Sequence, residues 1–267
     1  MIRVPLPTDK LLADIDGAVG WLTFDNPARR NAISVEMWRA IPDAFDAFEA
    51  DAAVRVVVLR GAGDKAFVSG LDISQFEDEF ASSSAAAGLE ALSARANERI
   101  RGSPRPTIAM IHGFCIGAGV QIAASCDLRI AADSATLAIT AARLGLGYPV
   151  ASLQRLIALV GPAGVKEIFF TGRQFSAAEA SAMGLVNRVV PAAELEGAVR
   201  ACCETIAANA PLTIAAVKQT VDALVRKPSA SELDACERVM KACFDSADYA
   251  EGRRAFREKR RPVFTGR

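Results

Sequence analysis

Short apolar runs alternate with longer amphipathic stretches over the first two thirds of the chain. Runs that are rich in β-branched residues and end in turn residues predict strands. They cover residues 18–24, 54–60, 107–111, 128–132 and 136–139. Helical periodicity covers residues 34–50, with Ser34 as the N-cap, and residues 85–101. Pro42 lies inside the first helical pattern and predicts a kink or a break there.

Beyond residue 152 the pattern is almost entirely helical. Residues 176–179 form a capping-box pattern, and Gly184 follows as a C-terminal signal for that short helix. Pro211 fits the first turn of a helix that reaches residue 226. Alternating strands and helices followed by helices predict an α/β core with largely parallel pairing. The helical C-terminal portion is expected to pack on this core or on a neighbouring subunit.

Composition limits the functional classes. The 267 residues are 51% hydrophobic and 23% charged, which suits one large α/β domain or one domain with an appendage. The 31 basic and 31 acidic residues cancel, so no net field favours nucleic acid or a membrane as partner. Basic residues do cluster at 253–254 and 257–261, either as a solvated helix face or as a local anion site.

The cysteines and the N-terminus indicate a reducing cytoplasm. No long apolar stretch resembling a signal peptide opens the chain, and the six cysteines show no metal-ligand spacing. His112 is the single histidine, so we predict no metal site. The most membrane-like window, residues 107–126, also contains Gln121 and three glycines, which favours a buried strand-turn-helix over a membrane span.

Two segments carry candidate chemistry. Residues 66–72 and 113–121 each place glycines after an apolar run, and the second leads into a helix. Such turns let backbone N–H groups approach a ligand, and two of them can hold a carbonyl oxygen as it becomes an oxyanion. Losing one oxyanion donor typically costs about 2.7–4 kcal/mol of transition-state stabilisation. The alternative is that both are ordinary tight turns.

The residues of these segments resemble a known family. Phe67-Val68-Ser69-Gly70-Leu71-Asp72-Ile73 is similar to the pattern F-x-x-G-x-D-[IL], and residues 112–119 are similar to [NH]-G-x-x-x-G-[GA]-G. Further matches follow in order at residues 126–127, 137–147, 170–173, 178–180, 184–187 and 210–211. The chain thus resembles the crotonase (enoyl-CoA hydratase/isomerase) superfamily from about residue 12 to its C-terminus.

This resemblance implies an α/β fold in which β-β-α units form a crotonase-like spiral, followed by a helical C-terminal oligomerisation region. We expect a core at residues 1–200 and the helical region at residues 201–267. The resemblance also implies a homotrimer or a dimer of trimers. It implies an acyl-CoA thioester as substrate, without a separate cofactor. By motif position, the backbone N–H groups of Leu71 and Ala118 would hold the thioester oxygen.

Contacts with CoA follow from the same resemblance. Arg29 and Arg30 stand in the stretch that meets the nucleotide end, where each either pairs with phosphate or faces solvent. The backbone of Ala66, Phe67 and Val68 would lie near the adenine. In this family the C-terminal tail often reaches the CoA of an adjacent subunit, and this role would fall here to Lys259 and Phe264.

The chain departs from the family where hydratases carry two glutamates that position and activate water. Gln121 and Ala141 occupy those two positions. An amide does not exchange protons near neutral pH and a methyl group has none to exchange, so we expect no ordinary enoyl-CoA hydration. Gln121 can still hydrogen-bond a substrate or a water molecule.

Other side chains offer partial replacements. Tyr148 resembles the tyrosine of malonyl-type decarboxylases, although Leu71 stands where those enzymes carry a histidine; a packed tyrosine is the alternative. Arg143 either attracts a substrate carboxylate or faces solvent. Asp72 and His112 are expected to be structural, and a solvated loop is favoured over a swinging base at residues 77–79.

The leading hypothesis is an enzyme that stabilises an enolate-like intermediate and performs decarboxylation or double-bond isomerisation. The alternatives are a non-catalytic acyl-CoA-binding protein and a hydratase with a different acid and base. RNA binding, known for some relatives, has little support from the zero net charge.

Overall fold

The computed structural model describes residues 1–72 and 83–267, with the backbone alone for residues 83–86. Its large sheet has seven strands in the order β1-β2-β3-β4-β6-β8-β11. These strands are β1 (Ile2–Val4), β2 (Leu11–Asp16), β3 (Val19–Phe24), β4 (Val56–Gly61), β6 (Thr107–Ile111), β8 (Leu128–Ala132) and β11 (Arg188–Val190). The pairing is antiparallel between β1, β2 and β3, and parallel from β3 to β11. The predicted largely parallel pairing is confirmed.

A second, smaller sheet has the order β10-β9-β7-β5. Its strands are β5 (Ala66–Val68), β7 (Phe114–Ile116), β9 (Thr136–Ala138) and β10 (Phe175–Ser176), and β5, β7 and β9 run parallel. The short strands β5, β7 and β10 were not predicted, because two or three residues show no periodicity of their own. The parallel pairs bring the ends of β5 and β7, and hence both glycine-containing segments, to one side of the molecule.

Nine α-helices lie within the described residues. They are α1 (Val35–Ala50), α2 (Ser83–Gly102), α3 (Ala118–Ser125), α4 (Val150–Thr171), α5 (Ala177–Ala182), α6 (Leu195–Ala207), α7 (Pro211–Val225), α8 (Ala230–Phe244) and α9 (Ala247–Glu258). The predicted N-cap positions of Ser34 and Ser176 are confirmed, and Pro211 is the first residue of α7, as predicted. Of the kink or break predicted at Pro42, the break is wrong, because α1 continues through this buried proline. Packing of the whole helix against the core outweighs one lost hydrogen bond.

The two faces of the large sheet pack against different layers. Along β4, Val57 and Leu59 point into the main core with α1 and the smaller sheet, whereas Val56 and Val58 face α6. Alternation along a strand produces this division. α6 spans residue 200, so the predicted boundary between core and C-terminal region falls inside a helix that packs on the sheet. Within the described residues, no helix is long and apolar enough to cross a membrane.

Two glycines allow the smaller sheet to approach its neighbours closely. A β-carbon on Gly119 would lie 2.2 Å from the carbonyl oxygen of Val68, so only glycine lets α3 pack against β5. A β-carbon on Gly113 would lie 2.0 Å from the carbonyl oxygen of Lys65, and φ is +53° there. These contacts bring the start of α3 next to the loop that follows β5.

Candidate functional site

A cleft of about 620 Å³ opens where the loop after β5, the start of α3, one face of α2 and the loop before α4 meet. Its lining is mostly apolar or backbone, with few polar side chains. The lining residues are Ser69, Gly70, Leu71, Leu89, Glu90, Ser93, Ile116, Gly117, Ala118, Gln121, Ile139, Thr140, Ala141, Leu144, Leu146, Gly147, Tyr148 and Pro149. Four of them, Leu71, Ala118, Gln121 and Tyr148, are the predicted catalytic groups.

The loop after β5 leaves the Leu71 amide unused. Ile33 donates its N–H to the Gly70 carbonyl and accepts from the Asp72 N–H, both at 2.9 Å. In this parallel bridge the N–H of Leu71 points away from Ile33. Among the described residues, no acceptor pairs with it.

Ala118 is the first residue of α3, after the N-cap Gly117 with φ of +54°. Its N–H is one of the groups that a helix leaves unpaired at its N-terminus, where the helix dipole also favours negative charge. A β-carbon on Gly117 would lie 3.9 Å from the Gly70 Cα, so the two loops touch. Two amides on touching loops that line one cleft can serve one oxyanion.

Gln121 and Ala141 both line this cleft. Gln121 lies one turn into α3, and its N–H donates to the Gly117 carbonyl at 3.2 Å. Ala141 is 8% exposed and begins the short 3₁₀ turn Ala141–Leu144. The two positions at which hydratases carry glutamates therefore face the cleft with an amide and a methyl group.

The hydroxyl of Tyr148 is buried in the cleft and has no hydrogen-bond partner. It lies beside the Gln121 side chain, and its ring meets Phe169 edge-on with centroids 4.6 Å apart. Burial raises the pKa of Tyr148 well above its usual value, and the neighbouring Gln121 offsets only part of that shift. The phenol therefore stays protonated at neutral pH and can donate a hydrogen bond to a ligand.

Sequence reasoning missed the contribution of α2. Leu89, Glu90 and Ser93 line the cleft from this helix, and Glu90 is the one carboxylate among the described lining residues. Their spacing of three and four residues places them on one helix face. That face continues into the buried Asn97 and Ile100. Polar residues within this otherwise core-facing stripe were the sequence signal that could have indicated a contribution of α2 to the cleft.

The loop that carries Arg29 and Arg30 lies against the loop after β5. The Ser69 hydroxyl donates to the Arg29 carbonyl at 3.1 Å, and the Arg30 guanidinium lies 5.0 Å from the centre of the Phe114 ring. Asn31 binds this loop to the carbonyls of Ala62 and Ala66. Both arginines are exposed beside the cleft wall, and their pairing with phosphate stays a prediction.

The remaining predicted CoA contacts are placed differently. The side chains of Ala66, Phe67 and Val68 are fully buried, and the Ala66 carbonyl already accepts a hydrogen bond from Asn31. Lys259 is exposed at the end of α9, and Phe264 packs over Gly252 in a groove beside that helix. Neither residue of the tail lines the cleft of its own chain. Contact with CoA stays a prediction for all five.

Three residues weighed from the sequence take structural positions. His112 lies at the end of β6, where its carbonyl accepts from the Phe67 N–H at 2.9 Å and burial lowers the pKa of its ring. Arg143 lies against Gly172 and is absent from the cleft lining. Asp72 anchors the first loop through its N–H. The acidic residues at 77–79 lie outside the described residues.

A larger second cavity, of about 800 Å³, lies between α2, α4, α6 and α7. Its charged side chains are engaged by carboxylates, hydroxyls or backbone carbonyls of the protein. Lys218 binds Asp127 at 2.7 Å, and Arg101 binds Asp222 at 3.1 Å. Arg129 is buried and donates to several backbone carbonyls, including that of Cys126 at 2.8 Å. These groups are engaged in holding elements together.

Comparison with known proteins shows the family of the chain. The family model described as enoyl-CoA hydratase/isomerase matches residues 14–267. The chain is 30% identical to a short-chain-enoyl-CoA hydratase of Clostridium acetobutylicum over 95% of this chain and 96% of that protein. It is 33% identical to a carnitinyl-CoA dehydratase of Salmonella enteritidis, over 94% and 97% of the two chains.

Solved structures show the same fold. A crystal structure described as an enoyl-CoA hydratase/carnithine racemase from Magnetospirillum magneticum superposes with a TM-score of 0.91. It is 37% identical and covers 98% of this chain and 97% of that one. The predicted α/β crotonase-like fold class is thereby confirmed. The chain belongs to the enoyl-CoA hydratase/isomerase family of the crotonase superfamily.

Proposed function

We propose that this protein acts on an acyl-CoA thioester and stabilises an enolate-like intermediate between the N–H groups of Leu71 and Ala118. The observation that carries the proposal is the pair of amides on two touching loops, each without an acceptor among the described residues. Donors held in place before the reaction stabilise the negative charge that develops on the thioester oxygen. Several relatives carry names of enzymes that act on CoA thioesters.

We further propose that decarboxylation or double-bond isomerisation is favoured over ordinary hydration. Hydration needs one group to take a proton from water and another to supply a proton to carbon. Gln121 and Ala141 supply neither, although the relatives named above are called hydratase or dehydratase. Decarboxylation and isomerisation pass through the enolate that the two amides stabilise, and each needs fewer proton-transfer groups.

A panel of thioesters tests this proposal. The purified protein is incubated with crotonyl-CoA, a 3-enoyl-CoA, and malonyl-, methylmalonyl- and ethylmalonyl-CoA, and products are identified by mass spectrometry. We expect turnover of the 3-enoyl ester or of a malonyl-type ester, with slow hydration of crotonyl-CoA. Rapid hydration would contradict the interpretation of Gln121 and Ala141. Tight binding of esters without turnover of any would favour the non-catalytic acyl-CoA-binding protein.

Assembly into a homotrimer or a dimer of trimers is part of the same proposal. Apolar side chains on the C-terminal helices are exposed in the single chain, among them Val221, Phe244 and Phe256. Exposed apolar patches of this kind are typical of interfaces between subunits. Light scattering during size-exclusion chromatography distinguishes three, six and single copies.

A further inference from the structure

The carboxylate of Glu90 is the outstanding feature of the cleft that the family pattern leaves without a role. It lies on α2, facing a lining that otherwise carries no charged side chain among the described residues. We propose that Glu90 is the proton-transfer group of this enzyme and that the reaction it serves is double-bond isomerisation of an enoyl thioester. This inference rests on the proposed function and assigns it a catalytic residue.

The Glu90 carboxylate is exposed at the cleft and is paired with no described cation. Arg99, on the same helix, binds Asp46 at 2.8 Å and Glu49 at 2.7 Å. Arg101 binds Glu98 and Asp222. The Glu90 side chain forms no ion pair or hydrogen bond with any described residue.

Hydrogen bonds tie the helix that carries Glu90 to the helix that carries Ala118. The Ser93 hydroxyl donates to the Glu90 carbonyl at 2.9 Å, and the Asn97 amide donates to the Ser93 carbonyl at 2.9 Å. The Ser125 hydroxyl lies 3.0 Å from Asn97 Oδ1 and 2.8 Å from the Gln121 carbonyl oxygen, so it joins α2 to α3. Arg155 donates to the same hydroxyl.

This buried connection fixes the position of α2 relative to α3. Asn97 is 4% exposed and Ser125 is 2% exposed, so water competes little for their bonds. Catalytic groups act best when buried hydrogen bonds and packing hold their supporting elements in place.

The chemistry balances with one carboxylate. The Glu90 carboxylate takes a proton from the α-carbon of a 3-enoyl thioester, and the electron pair of that C–H bond forms the dienolate. The N–H groups of Leu71 and Ala118 hold its negatively charged oxygen. The Glu90 carboxylic acid then returns the proton to the γ-carbon, the double bond moves into conjugation, and the carboxylate is restored. Neither water nor a second acid is consumed, and the proton of the exposed Glu90 carboxylic acid exchanges with solvent before it is returned.

Glu90 also decides between the two reactions left open above. A malonyl-type ester would bring a second carboxylate into the cleft, where Glu90 would repel it. The described lining contains no lysine, arginine or histidine to offset that repulsion, since Arg143 lies against Gly172 instead. An uncharged 3-enoyl chain suits the apolar lining around Leu71, Ile139 and Leu146.

The test compares wild type, Glu90→Gln and the control Glu204→Gln, which alters an exposed glutamate on α6 outside the cleft. Isomerisation of a 3-enoyl-CoA is followed by the absorbance of the conjugated product, and deuterium from D₂O in that product is measured by mass spectrometry. Binding of butyryl-CoA by calorimetry and thermal melting report on the cleft and the fold. We expect Glu90→Gln to lower kcat by about 10²–10⁴-fold and to abolish deuterium incorporation. Affinity for butyryl-CoA should change by less than about threefold, since glutamine keeps the shape of the side chain.

Three results are distinguishable. Loss of isomerisation in Glu90→Gln, with binding and melting retained and Glu204→Gln active, supports the assignment. An active wild type whose Glu90→Gln variant keeps its rate overturns the role of Glu90 and leaves the proposed function standing. A wild type that decarboxylates a malonyl ester but isomerises no 3-enoyl ester overturns this inference and leaves the proposed function standing. A wild type that turns over no ester overturns both.

Discussion

The cleft and the second cavity differ in how their polar groups are used. The second cavity is larger, about 800 Å³ against about 620 Å³, and it contains far more charge. Yet Lys218 pairs with Asp127, Arg101 pairs with Asp222, and Arg129 donates to carbonyls. In the cleft, the amides of Leu71 and Ala118 and the hydroxyl of Tyr148 have no partner within the described chain.

This difference separates stability from function. Buried polar groups that pair with one another stabilise the fold and have no bonding capacity left for a ligand. Buried donors without partners destabilise the folded state until a ligand satisfies them. The unused donors, and not the volume, are therefore the reason why we propose the smaller cavity as the site. Four substitutions or conditions can break or sharpen this distinction.

The largest effect is expected from Ala118→Pro. Ala118 is the first residue of α3, where proline is tolerated because the N–H makes no helical bond. The substitution removes one oxyanion donor, so we expect kcat to fall by about 10²–10³-fold, equivalent to about 2.7–4 kcal/mol. Steady-state kinetics on the preferred ester measures the loss.

Ala118→Gly is the matched control because it keeps the N–H. It should retain activity within about tenfold of wild type, while circular dichroism shows both variants folded. Equal losses in the proline and glycine variants would mean that the side chain, and not the amide, matters at this position.

Lys218→Met probes the second cavity. Its ammonium group binds Asp127 at 2.7 Å and the Arg105 carbonyl at 3.1 Å, and its side chain is only 9% exposed. Removing it leaves the carboxylate with its two bonds to Thr107 alone. We expect the free energy of unfolding to fall by about 2–3 kcal/mol, with kcat unchanged.

Chemical denaturation measures this loss. Lys166→Met serves as the control, since Lys166 is exposed on α4, and it should stay within about 0.5 kcal/mol of wild type. A Lys218→Met protein of normal stability but low activity would reverse the roles assigned to the two cavities.

Alkaline pH should lower the free energy of unfolding through Cys126, which lines the second cavity. Burial raises the pKa of this thiol to about 12 in the folded protein, against an ordinary value near 9.0. The thiol therefore contributes stability fully below about pH 9, and that contribution is lost as pH rises toward 12. At pH 10 the loss amounts to about 1.4 kcal/mol for this one group.

The measurement is the difference in unfolding free energy between pH 8 and pH 10, in wild type and in Cys126→Ala. The variant should show a smaller pH-dependent loss by roughly the amount assigned to Cys126. An unchanged difference would show that the thiol ionises equally in the folded and unfolded chains.

The smallest effect is expected from Tyr148→Phe. Because the hydroxyl has no partner, its removal should change the free energy of unfolding by no more than about 0.5 kcal/mol. The lost hydrogen bond to substrate should lower kcat by up to about tenfold, or about 1 kcal/mol. Denaturation and kinetics on one preparation measure both quantities. A large loss of stability would mean that the hydroxyl serves the fold.

Many of the strands and helix starts could be predicted because they depend on local residue patterns. The strands β3, β4, β6, β8 and β9 follow runs of β-branched and apolar residues. The N-cap at Ser176 and the helix start at Pro211 depend on neighbours a few positions away. The two glycine-containing segments were located for the same reason. Their motif order also identified the family before any geometry was known.

The short strands and α2's share of the site could not be predicted in this way. The strands β5 and β7 exist because they pair with each other, over three residues each, and pairing is a long-range property. Glu90 lies in a helix with an ordinary polar-apolar pattern, about twenty residues from the first loop and almost thirty from Ala118.

The amino-acid sequence by itself determined the α/β class, the family and the identity of the residues at the two former glutamate positions, because each depends on residue type and local spacing. The tertiary structure alone decided which groups share the cleft. Packing of α3 on β5 through Gly119 and the bonds from Ser125 to α2 bring Leu71, Ala118, Tyr148 and Glu90 to one cavity. Contacts between distant segments cannot be predicted from the local spacing of residues along the chain.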